Sequence, residues 1–296
     1  MGGLRRMAVR RLAVLPLAVR QLAMPRFAAW RKAAWRLAVA ALLAVWTLAP
    51  AIRPAPVSAD AKPLITAHRG SSHRAPENTL AAIRQAMADG ADIVEIDVQM
   101  TLDGVVILFH DKTLDKIGLS GRVADVPYSV IAAADAGSWH SIAHAGERVP
   151  TLEQALAETM GRIRLNIELK MTDPSLPLPE AVAAMLDGYG MTESAIVTSF
   201  DREALRRARA VNPGIRTGLI VGSKNALRED IWEEQVDILS VRSGLINRGF
   251  VDKARRTGKE VHVWTVNSRK ETRRLAGLGV TSIITDRPDA LRTWLN

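Results

Sequence analysis

The chain has 296 residues and no cysteine, which excludes disulfide bonds and a thiol nucleophile. Hydrophobic residues make up 48% and charged residues 24%, a balance typical of globular proteins. The net charge of +9 would favour a nucleic-acid or membrane partner, but residues 1–59 hold ten basic residues and no acidic one. Residues 60–296 carry 30 basic and 31 acidic side chains, so their charge excludes a polyanion-binding domain.

Residues 1–59 have the pattern of a targeting segment. A basic stretch precedes a 16-residue apolar run, Leu37 to Ile52, which is shorter than the ~20 residues of a spanning helix. The small residues that end at Ala59 predict a signal peptide cleaved after this residue, and the alternative is an uncleaved membrane anchor. Either way, we expect residues 60–296 outside the cytoplasm, with membrane contact only through residues 1–59 if they are retained.

Residues 60–296 alternate apolar, strand-like runs with helical patterns. Eight such units predict a (β/α)8 TIM barrel, with a doubly wound open sheet as the alternative. The predicted strands are Leu64–His68, Ile93–Met100, Arg164–Lys170, Ala195–Phe200, Arg216–Val221, Ile238–Val241, Glu260–Val266 and Ser282–Thr285. The predicted helices are Thr79–Asp89, Thr151–Met160, Leu178–Gly188, Arg202–Val211, Lys224–Trp232, Gly249–Thr257, Ser268–Leu278 and Pro288–Leu295.

One further strand-like segment, Val105–His110, follows the second barrel strand after a short link that contains Asp103-Gly104. Parallel strands cannot be joined by so short a link, so the segment predicts an antiparallel hairpin. Its register brings His110 back to the level of Glu95 and Asp97. The following insertion, residues 112–150, is rich in loop-forming residues and is expected to cap the same face.

Three carboxylates on two predicted strands indicate a metal site. Glu95 and Asp97 point to one side of the second strand, as Asn166, Glu168 and Lys170 do on the third barrel strand. Inward residues at the carboxyl ends of barrel strands line the active-site face. Three carboxylates there would repel one another, and a hard cation with oxygen ligands, Mg²⁺ or Ca²⁺, would relieve this. The alternative is a Lys or Arg partner for each acid.

Two histidines are predicted at the same rim. The triplet His68-Arg69-Gly70 ends the first strand, and His110 ends the hairpin. Histidine transfers protons near neutral pH, although a lone strand histidine is more often a hydrogen-bonded core residue. Arg69 offers a planar fork to a phosphate, and Lys170 offers a point charge.

Other candidate residues have two interpretations. The Pro-Glu-Asn-Thr motif at 76–79 is either a simple helix start or a source of site groups, Glu77 and Asn78. Trp264, on the seventh barrel strand, either walls a substrate pocket or packs in the core. Asp286 and Arg287, which follow the last strand, are expected to form a rim salt bridge.

The order of these motifs resembles the glycerophosphodiester phosphodiesterase family, over about Leu64 to Arg292. The motifs are His-Arg-Gly, Pro-Glu-Asn-Thr, Glu-Ile-Asp, His-Asp, Glu-Leu-Lys and a late Trp. The resemblance implies a phospholipase-C-like TIM barrel that hydrolyses glycerophosphodiesters to sn-glycerol 3-phosphate and an alcohol. It implies that the acid–base pair is His68 and His110, and that the ligands of one divalent metal, Ca²⁺ or Mg²⁺, are Glu95, Asp97 and Glu168. Groups expected to hold the substrate or phosphate are Arg69, Lys170 and Trp264, and those expected to support the site are Glu77, Asn78 and Asn166.

Alternative functions stay open at this point. They are a lysophospholipase D or phosphoinositide-type lipase on the same barrel, and a non-catalytic extracytoplasmic binding protein. The expected partner is a small glycerophosphodiester and not a nucleic acid, while the oligomeric state is not determined by the sequence. Residues 112–117 depart from the Arg-Thr-Thr-like stretch of many relatives, so the sequence does not define the alcohol head group.

Overall fold

The computed structural model of the protein describes residues 62–227 and 229–296. The targeting segment predicted in residues 1–59 lies outside this range. Across the described ranges, the helices are too short or too polar to cross a membrane.

Eight parallel strands close into a barrel because the first strand pairs with both the second and the last. This confirms the predicted TIM barrel and excludes the open sheet. The barrel strands are β1 (Leu64–Ala67), β2 (Ile93–Met100), β4 (Arg164–Leu169), β5 (Ala195–Ser199), β6 (Arg216–Val221), β7 (Ile238–Arg242), β8 (Glu260–Trp264) and β9 (Ser282–Thr285). The hairpin strand β3 (Val106–Leu108) pairs antiparallel with β2 and lies outside the closed barrel.

Helices follow most of the barrel strands. They are α1 (Leu80–Ala88), α3 (Leu152–Thr159), α4 (Leu178–Gly188), α5 (Arg202–Val211), α6 (Arg248–Arg256), α7 (Arg269–Leu278) and α8 (Pro288–Leu295), with α2 (Tyr128–Ile131) in the insertion. The predicted helix Lys224–Trp232 is wrong, because this segment forms the 3-10 turns Lys224–Ala226 and Glu229–Trp232. Ser223 Oγ accepts a hydrogen bond from the Ala226 amide and so caps a single turn.

The β2–β3 hairpin has the predicted register. Val98 lies opposite Leu108, and the Phe109 amide donates a hydrogen bond to the Asp97 carbonyl over 3.0 Å. The hairpin therefore returns His110 to the level of the carboxylates on β2. Its outer face packs against the insertion and forms a second apolar cluster with it. The buried members of this cluster are Ile107, Phe109, Leu114, Ile117, Val123, Ile131, Ala136 and Val149. Residues 112–150 are thus a packed cap rather than an open loop.

Side-chain alternation along the strands separates the core from the site. On β2, Val94 and Ile96 pack in the main apolar core, and the intervening Glu95 and Asp97 lie buried on the opposite side of the strand. In parallel pairing, Glu95 lies beside Asn166, and Asp97 beside Glu168. The barrel thus brings together acids that are more than 70 residues apart in sequence.

Gly70 provides a test of how tightly the first loop packs. Its φ is +82°, and a Cβ there would lie 2.6 Å from the Ala82 backbone. Gly104 has a similar φ of +81°, with no heavy atom within 4 Å of an added Cβ. We expect Gly104→Ala to lower the free energy of unfolding by about 1 kcal/mol, the cost of an L side chain in left-handed backbone. Gly70→Ala should cost roughly 2 kcal/mol more because of overpacking. Urea unfolding of both variants measures this, and equal losses would contradict the packing described.

Candidate active site

The loop after β1 presents His68 and Arg69 at the carboxyl end of the barrel. Arg69 and Gly70 both have left-handed backbone, with φ of 55° and 82°, which costs energy at the arginine. The Arg69 amide donates to Glu95 Oε2 over 2.7 Å, and the Gly70 amide donates to the Glu95 carbonyl over 3.2 Å. Glu95 therefore holds the loop in the conformation that brings both side chains to the rim.

Glu95, Asp97 and Glu168 form the predicted carboxylate cluster. One oxygen from each residue lies within 4.8 Å of an oxygen from each of the others. Glu95 and Asp97 are buried, and Glu168 is mostly buried. A cluster of this kind needs positive charge or protons to be stable in a low-dielectric interior.

Two cations neutralise part of the cluster. Lys170 Nζ lies 2.8 Å from Glu168 Oε1 and 3.5 Å from Asp97 Oδ1, and Arg69 Nε lies 3.2 Å from Asp97 Oδ2. Burial disfavours ionised Asp97, but the charges of Arg69 and Lys170 hold the pKa of its carboxyl below the ordinary value. Burial and then the charge of Asp97 raise the pKa of Glu168. Pairing with Lys or Arg, the alternative to a metal, thus accounts for part of the charge.

Neither of these cations forms an ion pair with Glu95 in the described part of the chain. Its Oε1 is buried and has no hydrogen-bond partner among the described residues. Burial, followed by the charge of Asp97, raises the pKa of Glu95 to about 8. A buried carboxylate oxygen without a partner, beside two further acids, fits a hard divalent cation with oxygen ligands.

His68 is supported from behind by an acid at the end of the last barrel strand. Its Nδ1 lies 2.6 Å from Asp286 Oδ1, which also accepts a hydrogen bond from Ser72 Oγ over 3.2 Å. Burial opposes protonation of His68, but Asp286 and the charge of Glu95 raise its pKa above the ordinary value. Among the residues that the structure describes, Asp286 does not form the predicted salt bridge with Arg287. It pairs with His68 instead.

His110 has a comparable arrangement with a different balance. Its Nδ1 lies 2.8 Å from Asp111 Oδ1. Burial and the nearby charge of Arg69 outweigh the attraction of Asp97, so the pKa of His110 is lowered. The two histidines thus have pKa values displaced in opposite directions, a condition that suits an acid and a base.

The motif at 76–79 begins a helix and also places two side chains beside the carboxylate cluster. Thr79 is the N-cap of α1, its Oγ1 accepting from the Ala82 amide over 3.2 Å. Asn78, with φ of 57°, donates from Nδ2 to Asp97 Oδ2 over 2.9 Å and accepts from the Asp97 amide. Glu77 Oε1 accepts from Arg69 Nη1 over 3.0 Å. Glu77 and Asn78 therefore fix the arginine and one carboxylate.

The remaining predicted residues lie around this centre. Asn166 is buried two residues before Glu168 on β4, and its Oδ1 accepts a hydrogen bond from Thr198 Oγ1 over 2.9 Å. Trp264 packs edge-on against Phe200, with ring centroids 6.2 Å apart. Its Nε1 is buried and has no partner in the described part of the chain. Contact between Trp264 and a substrate stays a prediction.

An open cleft of about 940 Å³ leads to the cluster. Its walls include His110, Lys112, Glu168, Lys170 and the exposed ring of Phe200. The cleft has the volume of a small-molecule site and both charged and apolar walls.

The chain is similar to known proteins over most of its length. The profile of the Glycerophosphoryl diester phosphodiesterase family matches residues 68–290. The Bacillus subtilis protein YhdW is 34% identical over 232 residues, which cover 76% of this chain and 95% of that protein. A glycerophosphodiester phosphodiesterase of Caldanaerobacter subterraneus is 33% identical over 240 residues, covering 78% and 96%. An Oleispira antarctica phosphodiesterase, solved with the product sn-glycerol-3-phosphate, matches with a TM-score of 0.74 and 29% identity over 79% of this chain and 97% of that one.

If the carboxylate cluster binds a cation, Mg²⁺ or Ca²⁺ should raise the thermal midpoint of EDTA-treated protein. The gain would be about 2.7 kcal/mol at a hundredfold excess over the dissociation constant. Glu95→Gln should abolish this gain while leaving the metal-free protein near neutral pH at least as stable, because the variant removes an uncompensated buried acid. Glu260→Gln is the control, since Glu260 pairs with Arg216 at the start of β8. A full metal response in Glu95→Gln would exclude Glu95 as a ligand.

Proposed function

The chain belongs to the glycerophosphoryl diester phosphodiesterase family, and on that basis we propose how it acts. It is an enzyme, a glycerophosphodiester phosphodiesterase. We propose metal-dependent hydrolysis of glycerophosphodiesters to sn-glycerol 3-phosphate and an alcohol, by acid–base catalysis from two histidines. The observation that supports this most is that His68 and His110, each paired with an aspartate, flank the three-carboxylate cluster.

The carboxylates Glu95, Asp97 and Glu168 would hold one divalent cation, Ca²⁺ or Mg²⁺. When bound, the ion supplies positive charge that polarises the phosphate and stabilises charge in the transition state. The unpartnered Glu95 oxygen and the all-oxygen donor set support this assignment.

Arg69 and Lys170 bind and orient the phosphate. Arg69 is held at Nη1 by Glu77 and lies against Asp97 through Nε, so its planar group has little freedom to rotate. Lys170 is held by Glu168 and Asp97. Two fixed cations beside the carboxylate cluster stabilise negative charge on the phosphate oxygens without reorganising during the reaction.

Proton transfer is assigned to His68 and His110. In each ring Nδ1 is engaged by an aspartate, which leaves Nε2 as the nitrogen that exchanges a proton. One histidine takes the proton of the nucleophile, and the other gives a proton to the leaving alkoxide oxygen as the P–O bond breaks. The nucleophile is water or the glycerol 2-hydroxyl of the substrate, and the second route passes through a cyclic phosphate.

Substitution of either histidine tests the proposal. We expect His68→Ala and His110→Ala each to lower the rate of sn-glycerol 3-phosphate release by about 10²–10⁴-fold, the usual contribution of an acid or base. His73→Ala is the matched control, because this exposed residue is on the same loop as His68. Thermal midpoints should stay near that of the parent chain. A near-parental rate in either active-site variant would exclude that histidine from catalysis.

The assay uses the full chain after EDTA treatment, with Ca²⁺ or Mg²⁺ added back. Glycerophosphodiesters with choline, ethanolamine or glycerol head groups are compared side by side with a lysophospholipid and a phosphoinositide. Faster turnover of a lysophospholipid would favour the lysophospholipase D alternative, and no turnover of any diester would favour a binding protein.

We further propose that residues 60–296 act outside the cytoplasm, exported or anchored through residues 1–59. Three features of that segment support this: nine basic residues and no acid before the apolar run, the run itself, and small residues before Asp60. Fractionation of producing cells, with N-terminal sequencing, should find a chain that begins at Asp60 outside the cytoplasm, or the intact chain in the membrane fraction. Intact chain in the cytosol alone would contradict export.

A further inference from the structure

Lys116 lies in the insertion, in the 3-10 turn Asp115–Ile117. Its ammonium nitrogen is 2.7 Å from Glu77 Oε1 and 2.9 Å from Asp111 Oδ2. The side chain extends from the cap towards the active-site rim, and 26% of it is exposed to solvent. Lys116 therefore joins the cap to two acids of the active-site rim.

Each of those acids contacts a residue assigned to the reaction. Asp111 Oδ1 lies 2.8 Å from His110 Nδ1, and Glu77 Oε1 accepts from Arg69 Nη1 over 3.0 Å. The ammonium of Lys116 thus contacts both the acid that holds Arg69 and the acid that holds His110.

The cap holds this lysine in place. The neighbouring Ile117 is buried in the second apolar cluster, which fixes the turn. The Lys116 ammonium lies 5.1 Å from the centroid of the Trp139 ring, within range of a cation–π interaction. Trp139 in turn donates from Nε1 to the Ala136 carbonyl over 2.8 Å.

Asp111 depends on this lysine for its orientation. The aspartate is on the loop after β3 and is about one-third exposed, so solvent could compete for its oxygens. With Lys116 on Oδ2 and His110 on Oδ1, both oxygens are occupied and the carboxylate plane is set. Loss of Lys116 would free the carboxylate to turn and would remove the charge that stabilises it.

We propose that Lys116 is a positioning residue of the active site, which fixes His110 through Asp111 and so makes the insertion part of the catalytic machinery. This inference rests on the proposed role of His110. Because Lys116 fixes His110 through Asp111, its loss should disturb proton transfer more than substrate binding.

The test is steady-state kinetics of the full chain at saturating metal, with the glycerophosphodiester that the parent chain turns over fastest. We expect Lys116→Met to lower kcat by about 10–100-fold, the range of a small misplacement of a catalytic group, with KM changed less than about threefold. Lys116→Arg should restore most of kcat because it keeps the charge. Asp111→Asn should cause a similar loss, and Lys116→Met combined with it should add little, since both act through one contact.

Lys253→Met is the matched control. Lys253 lies 4.8 Å from the centroid of the Trp232 ring, so this variant removes a lysine–tryptophan contact away from the site and should leave kcat unchanged. Thermal midpoints of all variants are recorded. If Lys116→Met does not fold, Trp139→Leu replaces it, and its expected result is a smaller fall in kcat at unchanged KM.

Three results would overturn the inference. A rise in KM alone would show that Lys116 acts on substrate binding, directly or through Glu77 and Arg69, and not on His110. Multiplying losses in the double variant would show that Lys116 and Asp111 act independently. An unchanged kcat in Lys116→Met, alongside an inactive His110→Ala, would show that His110 needs no such support. A fully active His110→Ala would instead exclude the proposed function of that histidine.

Discussion

The repulsion among Glu95, Asp97 and Glu168 is the constraint that organises this end of the barrel. Three acids in a mostly apolar interior need positive charge, hydrogen bonds or protons close by. Lys170, Arg69 and Asn78 supply part of this, and the amide of Arg69 supplies more. One oxygen of Glu95 remains without a partner in the described structure, which is where a cation would complete the cluster.

The same repulsion explains the shape of the surrounding chain. The loop after β1 adopts two left-handed residues in succession so that the Arg69 amide can reach Glu95. Asn78 accepts a left-handed conformation to contact Asp97 through both its oxygen and its nitrogen. Backbone strain is thus concentrated at residues that touch the cluster and is balanced by the hydrogen bonds they make there.

Much of the fold could be predicted from sequence because its signals are local. Alternation along β2 and β4 gave the inward face of each acid, and Asp103-Gly104 gave the hairpin that returns His110 to the rim. The helix predicted at 224–232 is wrong because the segment forms two 3-10 turns, the first of them capped by Ser223.

The contacts that hold the histidines, and those that join the cap to the site, could not be predicted from the sequence. Asp286 lies 218 residues from His68 in sequence, and Lys116 lies 39 residues from Glu77. Closure of the barrel brings the first pair together, and packing of the insertion brings the second. A lysine in a polar stretch and an aspartate after the last strand carry no local signal of either contact. Spacing alone therefore predicted which acids converge, and not what holds the histidines.

We propose that a cation completes the carboxylate cluster at Glu95. Calorimetric titration of Ca²⁺ or Mg²⁺ into EDTA-treated protein at pH 7, in buffers of different ionisation enthalpy, tests it most directly. Burial and the charge of Asp97 raise the pKa of Glu95 in the metal-free protein, which favours its protonated form. We expect about one ion to bind with release of protons, since a protonated ligand must lose its proton to bind, and we expect Glu95→Gln to weaken this binding strongly. No binding by the parent chain, or equal binding by Glu95→Gln, would contradict the assignment.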